Sequence, residues 1–89
     1  LMLVKADGSD PRTMLKTKER MEQPSVSPDG KTVFFTSWQD GTPHIWRINL
    51  DGTGLKQITS GDFADFVPDV SPDGKWVLFR SYNGGRKGR

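Results

Sequence analysis

The sequence contains the three residue types of a hydrolytic triad, so the setting of each one decides whether it can act in catalysis. His44 is the only histidine, and Ser37 and Ser81 each end an apolar run. A nucleophilic serine needs a strained, exposed turn with an oxyanion hole beside it, and the chain has no Gly-x-Ser-x-Gly pattern to supply one. The sequence therefore predicts no catalytic residue and no enzyme activity.

Most of the aspartates have a complete structural explanation. Asp29 and Asp73 each lie inside a Ser-Pro-Asp-Gly turn, where proline presets φ, aspartate bonds to the nearby backbone and glycine accepts the left-handed conformation. Three further aspartates precede glycine and fit the same explanation: Asp7, Asp40 and Asp51. We predict no metal site and no cofactor, and we predict structural turn roles for Ser27, Pro28, Asp29, Gly30, Ser71, Pro72, Asp73 and Gly74.

Two arginines and one tryptophan are candidates for contact with a ligand or partner. Arg47 and Arg80 stand within apolar strands, where they either reach a channel or rim as ligand contacts or pair with nearby acids. Trp38 fits a stacking surface for a sugar or a base together with other aromatic residues, although such residues more often pack between sheets. The other aromatic residues in this set are Trp46, Trp76 and Tyr82.

Asp62 and Asp65 complete the set of candidate binding residues. Both lie in the connection from Ser60 to Val67 and lack the proline-glycine context of the other aspartates. They either bind a cation or cap a turn, and turn capping is favoured because a calcium loop has more oxygen ligands at closer spacing.

Composition limits the classes of partner. The 89 residues make one small domain, and the absence of cysteine excludes disulfides and thiolate chemistry. The formal charge of +2 comes from Arg86, Lys87 and Arg89 near the end, without which 10 basic residues face 11 acidic ones. We therefore expect no nucleic-acid binding, and no apolar run reaches the roughly 20 residues of a membrane span.

A repeat organises the chain. Ser27 to Lys31 and Ser71 to Lys75 are identical and lie 44 positions apart. The same shift aligns Asp7-Gly8 with Asp51-Gly52, and Val33 and Phe35 with Val77 and Phe79, without any insertion. Such a period of about 40–45 residues is typical of propeller blades.

Turn signals within one period predict a four-stranded antiparallel meander. The predicted strands are Ser25-Val26-Ser27, Lys31 to Ser37, His44 to Asn49, and Leu55 to Thr59. The second strand is apolar on both faces, so each small sheet must lie between others. No long helix is available to cover them, and the sequence therefore predicts an all-β fold of stacked four-stranded blades, a partial β-propeller from a six- or seven-bladed parent.

The frame of the repeat predicts how the blades are divided. Residues 1–15 supply the last two strands of one blade, residues 24–59 a complete blade, and residues 67–82 the first two strands of the next. Residues 83–89 are predicted to be a basic flexible tail. Two blades leave apolar faces uncovered, and the favoured explanation is that the chain is a truncated gene product or a partial sequence. The alternative is that residues 67–82 of one copy complete the blade begun by residues 1–15 of another, and three copies would then close a six-bladed ring as a homotrimer.

The Ser-Pro-Asp-Gly-Lys turns, followed by aromatic-rich strands and by the run from Ile45 to Thr59, resemble the WD-like repeat of TolB-type propellers. The resemblance extends from about Leu3 to Tyr82. It implies a binding or scaffold function in the periplasm or another extracytoplasmic compartment, with a protein or the remaining blades of a parent chain as partner. The alternative is an accessory propeller of an enzyme, either the sensor half of a bacterial serine/threonine kinase or the gating domain of a serine peptidase.

Loops attached to rigid blades are the usual place for binding. In a closed propeller of this type, the connection from Thr59 to Val67 and the loop from Trp38 to Pro43 are expected on one face. The resemblance implies that partners bind at this face and at the mouth of the channel.

Overall fold

The computed structural model describes residues 1–13, 15 and 20–83, and the regular elements in these ranges are all β-strands. They are β1 (Met2–Leu3), β2 (Arg12–Thr13), β3 (Met21–Val26), β4 (Thr32–Ser37), β5 (His44–Asn49), β6 (Lys56–Gln57), β7 (Ala64–Val70) and β8 (Val77–Tyr82). The predicted basic tail at residues 83–89 lies, except for Asn83, outside the described residues.

The strands form three antiparallel sheets. The central sheet has the order β3-β4-β5-β6, and it lies between the strand pairs β1-β2 and β7-β8 in the sequence. The all-β class and the antiparallel meander are therefore confirmed. The predicted strand bounds were less accurate: β3 begins at Met21 instead of Ser25, and β6 is limited to Lys56–Gln57.

The two Ser-Pro-Asp-Gly turns have the same hydrogen bonds. In the first, Ser27 Oγ donates to Asp29 Oδ1 at 2.6 Å, and the Lys31 N–H donates to the same oxygen at 3.0 Å. In the second, the equivalent distances from Ser71 Oγ and from the Lys75 N–H to Asp73 Oδ1 are 2.6 and 3.0 Å. Glycine closes each turn with positive φ, 73° at Gly30 and 75° at Gly74, which disfavours any residue with a Cβ there.

The core lies on one face of the central sheet. Val33, Phe35 and Ile48 are buried, and partly buried Leu1, Leu15, Met21, Trp46 and Leu50 pack against them. The pairing of Val33 with Ile48 and of Phe35 with Trp46 places these residues on the same face. Leu1 and Leu15, which flank β1 and β2 in the sequence, therefore help to cover this face.

The other face of the central sheet contacts β7. The first strands of the two repeats, β3 and β7, each have a bulge, and Gln23 and Val67 at these bulges have φ of 60° and 58°. The Val67 N–H points to Gln23 Oε1 at 3.1 Å and to Thr36 Oγ1 at 3.2 Å. These contacts join the strained backbone of one sheet to the next and support its unusual conformation.

Candidate functional site: the loop platform

Two loops meet at the end of the central sheet where β5 begins. One is the β4–β5 loop, residues 38–43, and the other is the β6–β7 connection, residues 58–63; together we call them the loop platform. Gln57, at the end of β6, donates from Nε2 to Asp40 Oδ2 at 2.7 Å. The Asp65 N–H donates to the Pro43 carbonyl at 2.8 Å. Because Gln57 and Asp65 flank the β6–β7 connection, these two hydrogen bonds hold it next to the β4–β5 loop.

His44 holds the platform from below. Its side chain is 1% exposed, and Nδ1 lies 2.9 Å from Asp40 Oδ2 while Nε2 lies 3.0 Å from the Gly61 carbonyl oxygen. Both partners are acceptors, so both bonds are made at once only when each ring nitrogen carries a proton. The histidine thus links one loop to the other through the interior.

Asp65 extends this network into the next sheet. It is 3% exposed, its Oδ1 accepts from Ser81 Oγ at 2.7 Å, and its Oδ2 lies 3.8 Å from His44 Nε2. The expectation that Asp65 lies in the connection and caps a turn is wrong, because Asp65 belongs to β7 and its carboxylate is buried. Burial of a carboxylate requires partners of this kind.

The same contacts do not form a hydrolytic triad. Both ring nitrogens of His44 face Asp40 and Gly61, Ser81 Oγ donates to Asp65, and Ser37 Oγ accepts from the Gln39 N–H at 3.3 Å. A general base must contact the hydroxyl that it activates. The histidine, the aspartates and Ser81 act instead as a polar bridge between the central sheet and the last strand pair.

Asp40 titrates according to these contacts. Burial tends to raise the pKa of its carboxyl, but hydrogen bonds from the Thr42 N–H, Gln57 and His44 and the charge of His44 outweigh burial. The net effect holds the pKa below its ordinary value of 3.8. The carboxylate is therefore ionised at neutral pH and can accept both of its side-chain hydrogen bonds.

The outer surface of the platform combines apolar and acidic groups. Phe63 is 45% exposed, and Asp62 beside it is also exposed. Trp38, at the start of the other loop, is half-buried, with the Arg20 guanidinium 4.9 Å from its ring centroid and Phe66 edge-on at 5.8 Å. The structure thus brings two of the predicted binding residues, Trp38 and Asp62, to the platform and places Asp65 beneath it.

Arg47 lies at the opposite end of the central sheet. Its guanidinium is 5.5 Å from the Phe34 ring centroid, and Nη2 donates to Thr32 Oγ1 at 3.3 Å. With these residues it lines a cavity of about 310 Å³ that the two Ser-Pro-Asp-Gly turns also border. Arg47 is therefore not part of the platform.

Arg80 lies on the outer face of the last strand pair. It is exposed, makes no ion pair with any described residue, and lines an open cavity of about 320 Å³ with Gln23, Phe66, Val67 and Tyr82. Tyr82 contacts Phe66 edge-on at 5.9 Å. Of the aromatic residues considered for a stacking surface, Trp38 and Tyr82 are thus linked through Phe66, whereas Trp46 packs against the core.

Two features of the platform were not found from the sequence. The role of His44 as a bridge was missed because only its use as a general base was considered, and Phe63 was not recognised as an exposed aromatic group. A lone histidine that opens a strand directly after an Asp-Gly turn was the available signal for the first. In the described part of the chain, no group of acidic or histidine side chains is arranged to hold a metal ion, and no helix is long and apolar enough to span a membrane.

Comparison with known proteins identifies several relatives. An uncharacterized protein of Agrobacterium fabrum is 39% identical over 49 residues, which are 55% of this chain and 17% of that protein. The Tol-Pal system protein TolB of Syntrophus aciditrophicus is 37% identical over 54 residues, which are 61% of this chain and 12% of that protein. Dipeptidyl-peptidase 5 of Porphyromonas gingivalis is 37% identical over 61 residues, 62% of this chain and 9% of that protein. The chain thus spans less than a fifth of each of these relatives, and no family model matches it.

Solved structures agree with these sequence relatives. A structure described as TolB from Agrobacterium tumefaciens superposes on 90% of this chain with a TM-score of 0.84 and 32% identity, and 29% of that protein is covered. TolB from Acinetobacter baumannii superposes on 94% of this chain with a TM-score of 0.61 and 23% identity, a likeness of fold alone, with 32% of that protein covered.

Proposed function

The chain is built from TolB-like β-propeller repeats, and we propose that its function is to bind a protein partner without catalysis, at the loop platform. The observation that carries this proposal is the fixed geometry of the platform. His44 and Asp65 hold two loops from inside, while Asp62 and Phe63 point to solvent. Loops preorganised in this way lose little conformational freedom on binding.

The chemistry of the platform indicates the kind of partner. An exposed aromatic ring with acidic groups at Asp40 and Asp62 favours a segment that carries both apolar and basic side chains. A relative named as a Tol-Pal system protein and a solved structure described as TolB support a protein partner and a periplasmic or other extracytoplasmic location.

Tryptophan fluorescence can test the proposal, because Trp38 lies at the edge of the platform. We expect a short synthetic peptide of alternating lysine and leucine to change the emission, and a peptide with glutamate in place of lysine to have no effect. Phe63→Ala and Asp62→Asn should each weaken binding of the lysine peptide by about tenfold, while Leu55→Ala, an exposed apolar residue at the far end of the sheet, should not. Equal binding by all three variants would contradict the platform as the site.

We further propose how the sheets divide into blades. The pair β1-β2 ends one blade, the central sheet is a complete blade, and β7-β8 begins a third, so that three copies would close a six-bladed ring. Light scattering on the purified chain tests this assembly, since a mass of three chains supports the ring and a stable monomer contradicts it.

A second candidate function follows from the relative named dipeptidyl-peptidase 5. In this alternative the repeats belong to an accessory propeller, either the gating domain of a serine peptidase or the sensor half of a serine/threonine kinase. The sequence of the flanking reading frame distinguishes the two, because only the alternative requires a catalytic domain there.

A further inference from the structure

Six sheet edges are unpaired within the described residues, and two of them are edges whose equivalents are paired in the complete central sheet. These two are the edge of β1 that faces away from β2 and the edge of β8 that faces away from β7. Large apolar side chains at both edges are exposed: Met2 61%, Val4 52%, Trp76 73% and Leu78 73%. An open edge with apolar side chains is a template for pairing with another strand.

The repeat specifies a partner for each edge. A shift of 44 positions makes β8 equivalent to β4 and β1 equivalent to β5. In the central sheet, β4 pairs with β5 through Val33 and Ile48, Phe34 and Arg47, and Phe35 and Trp46. The open edge of β8 is therefore expected to pair with the open edge of β1 in the way that β4 pairs with β5.

We propose that β8 of one copy pairs antiparallel with β1 of a second copy, with Val77 opposite Val4, Leu78 opposite Leu3 and Phe79 opposite Met2. The order β7-β8-β1-β2 across two copies then reproduces the order of the central sheet. This inference rests on the proposed division into blades, and it adds the register, the residues and the direction of the contact.

The same shift predicts which surfaces cover the exposed side chains. Phe34 shares its cavity with Asp73 and Gly74 from the turn of the next repeat. Leu78 is equivalent to Phe34, and Asp29 and Gly30 are equivalent to Asp73 and Gly74, so Leu78 is expected to share a cavity with Asp29 and Gly30 of the second copy. On the opposite face, Met2 and Val4 of the second copy occupy the positions of Trp46 and Ile48, both of which pack in the core of the central sheet.

Charge favours a second copy as the occupant. Trp38 contacts Phe66 of the following repeat. Tyr82 is equivalent to Trp38 and Glu22 to Phe66, so Tyr82 is expected to contact Glu22 of the second copy. Arg80 alternates onto the same face as Tyr82 and makes no ion pair with a described residue. Its cation therefore approaches the Glu22 carboxylate of the second copy, whose Oε2 already pairs with Arg20 at 2.6 Å, so the contact would extend an existing ion pair that an unrelated apolar partner lacks.

Disulfide cross-linking tests the register, because the native chain has no cysteine. A Leu78→Cys variant is mixed with a Leu3→Cys variant under mild oxidation, and cross-linked dimers are measured on a non-reducing gel. Directly opposite strand residues have Cα atoms about 4.5–5.5 Å apart, within reach of a disulfide. The matched control replaces Leu3→Cys with Lys5→Cys, which lies on the same face but two residues out of register.

We expect the Leu78–Leu3 mixture to give at least fivefold more mixed dimer than the Leu78–Lys5 mixture. Equal yields from the two mixtures would overturn the register, and an absence of cross-links in concentrated samples would overturn the contact. Circular dichroism of each reduced variant shows whether it is folded. If either cysteine variant of the first pair is unfolded, the pair Phe79→Cys and Met2→Cys is used instead. Failure of peptide binding at the platform would leave these yields unchanged, so the two proposals fail separately.

Discussion

Strands β4 and β8 occupy equivalent places in the repeat, yet their environments differ. All six residues of β4 are buried, whereas in β8 only Val77 is partly buried and the rest are exposed. The turns that precede the strands have the same hydrogen bonds to within 0.1 Å. The comparison shows that sequence determines the hairpin locally, while neighbouring sheets determine its burial.

The largest difference between the two strands should appear on truncation of their equivalent phenylalanines. Phe35 is 0% exposed and Phe79 is 37% exposed. Phe35→Ala should cost about 3–5 kcal/mol of unfolding free energy because it opens a cavity in the core, and Phe79→Ala roughly half of that or less in dilute solution. Urea denaturation followed by tryptophan fluorescence measures both, and equal losses would show that neighbouring sheets do not determine burial.

The next largest loss of stability is expected when the polar bridge between the central sheet and the last strand pair is removed. His44→Leu leaves the Gly61 carbonyl and part of the Asp40 carboxylate without a donor and removes the ring nitrogen 3.8 Å from Asp65 Oδ2, so we expect a loss of about 2–3 kcal/mol. Ser81→Ala removes one bond to Asp65 from the β8 side and should cost about 1 kcal/mol. Both values come from the same denaturation curves, and a loss for Ser81→Ala as large as that for His44→Leu would contradict the central position of the histidine.

Equivalent substitutions in the two Ser-Pro-Asp-Gly turns should lower the free energy of unfolding by equal amounts. Gly30→Ala and Gly74→Ala place a side chain at positive φ without a steric contact closer than 3.8 Å, so each should cost about 1–2 kcal/mol. Asparagine tolerates this conformation better, and Gly30→Asn and Gly74→Asn are the matched controls with smaller losses. A clear difference between the two alanine variants would show that the hairpins are not local units.

The smallest expected effect is the loss of stability at acid pH that follows from protonation of Asp29 and Asp73. Hydrogen bonds from Ser27 and Ser71, then from the Lys31 and Lys75 N–H groups, lower the pKa of Asp29 and Asp73 below 3.8. A lowered pKa in the folded chain stabilises it above 3.8 and stops doing so as pH falls through the folded value. Denaturation midpoints should therefore decline below pH 4. The double variant Asp29→Asn with Asp73→Asn should decline less steeply, and an unchanged decline would contradict the role of these turns.

The fold was predictable because its signals are local or periodic. The repeat, the Ser-Pro-Asp-Gly turns and the apolar character of β4 on both faces were enough to predict stacked antiparallel sheets. The start of β3 at Met21 was missed because Pro24 and the bulge at Gln23 break the alternation on which a strand prediction depends.

The candidate site was less predictable, because it depends on contacts between distant residues. Asp62 and Trp38 were found from residue type, but the burial of Asp65 depends on Ser81 and His44, which are 16 and 21 positions away. Arg47 and Arg80 were grouped with them as cations in apolar strands, and only the register shows that they lie in two other cavities.

Hydrogen–deuterium exchange of β4 and β8 amides, measured at low and high chain concentration, tests most directly the claim that neighbouring sheets determine burial. The account predicts slow exchange in β4 at both concentrations, fast exchange in β8 of the dilute chain, and protection of β8 that rises with concentration as β1 of another copy pairs with it. Protection of β8 equal to that of β4 in a dilute monomer would contradict the account, and so would fast exchange of β8 at every concentration.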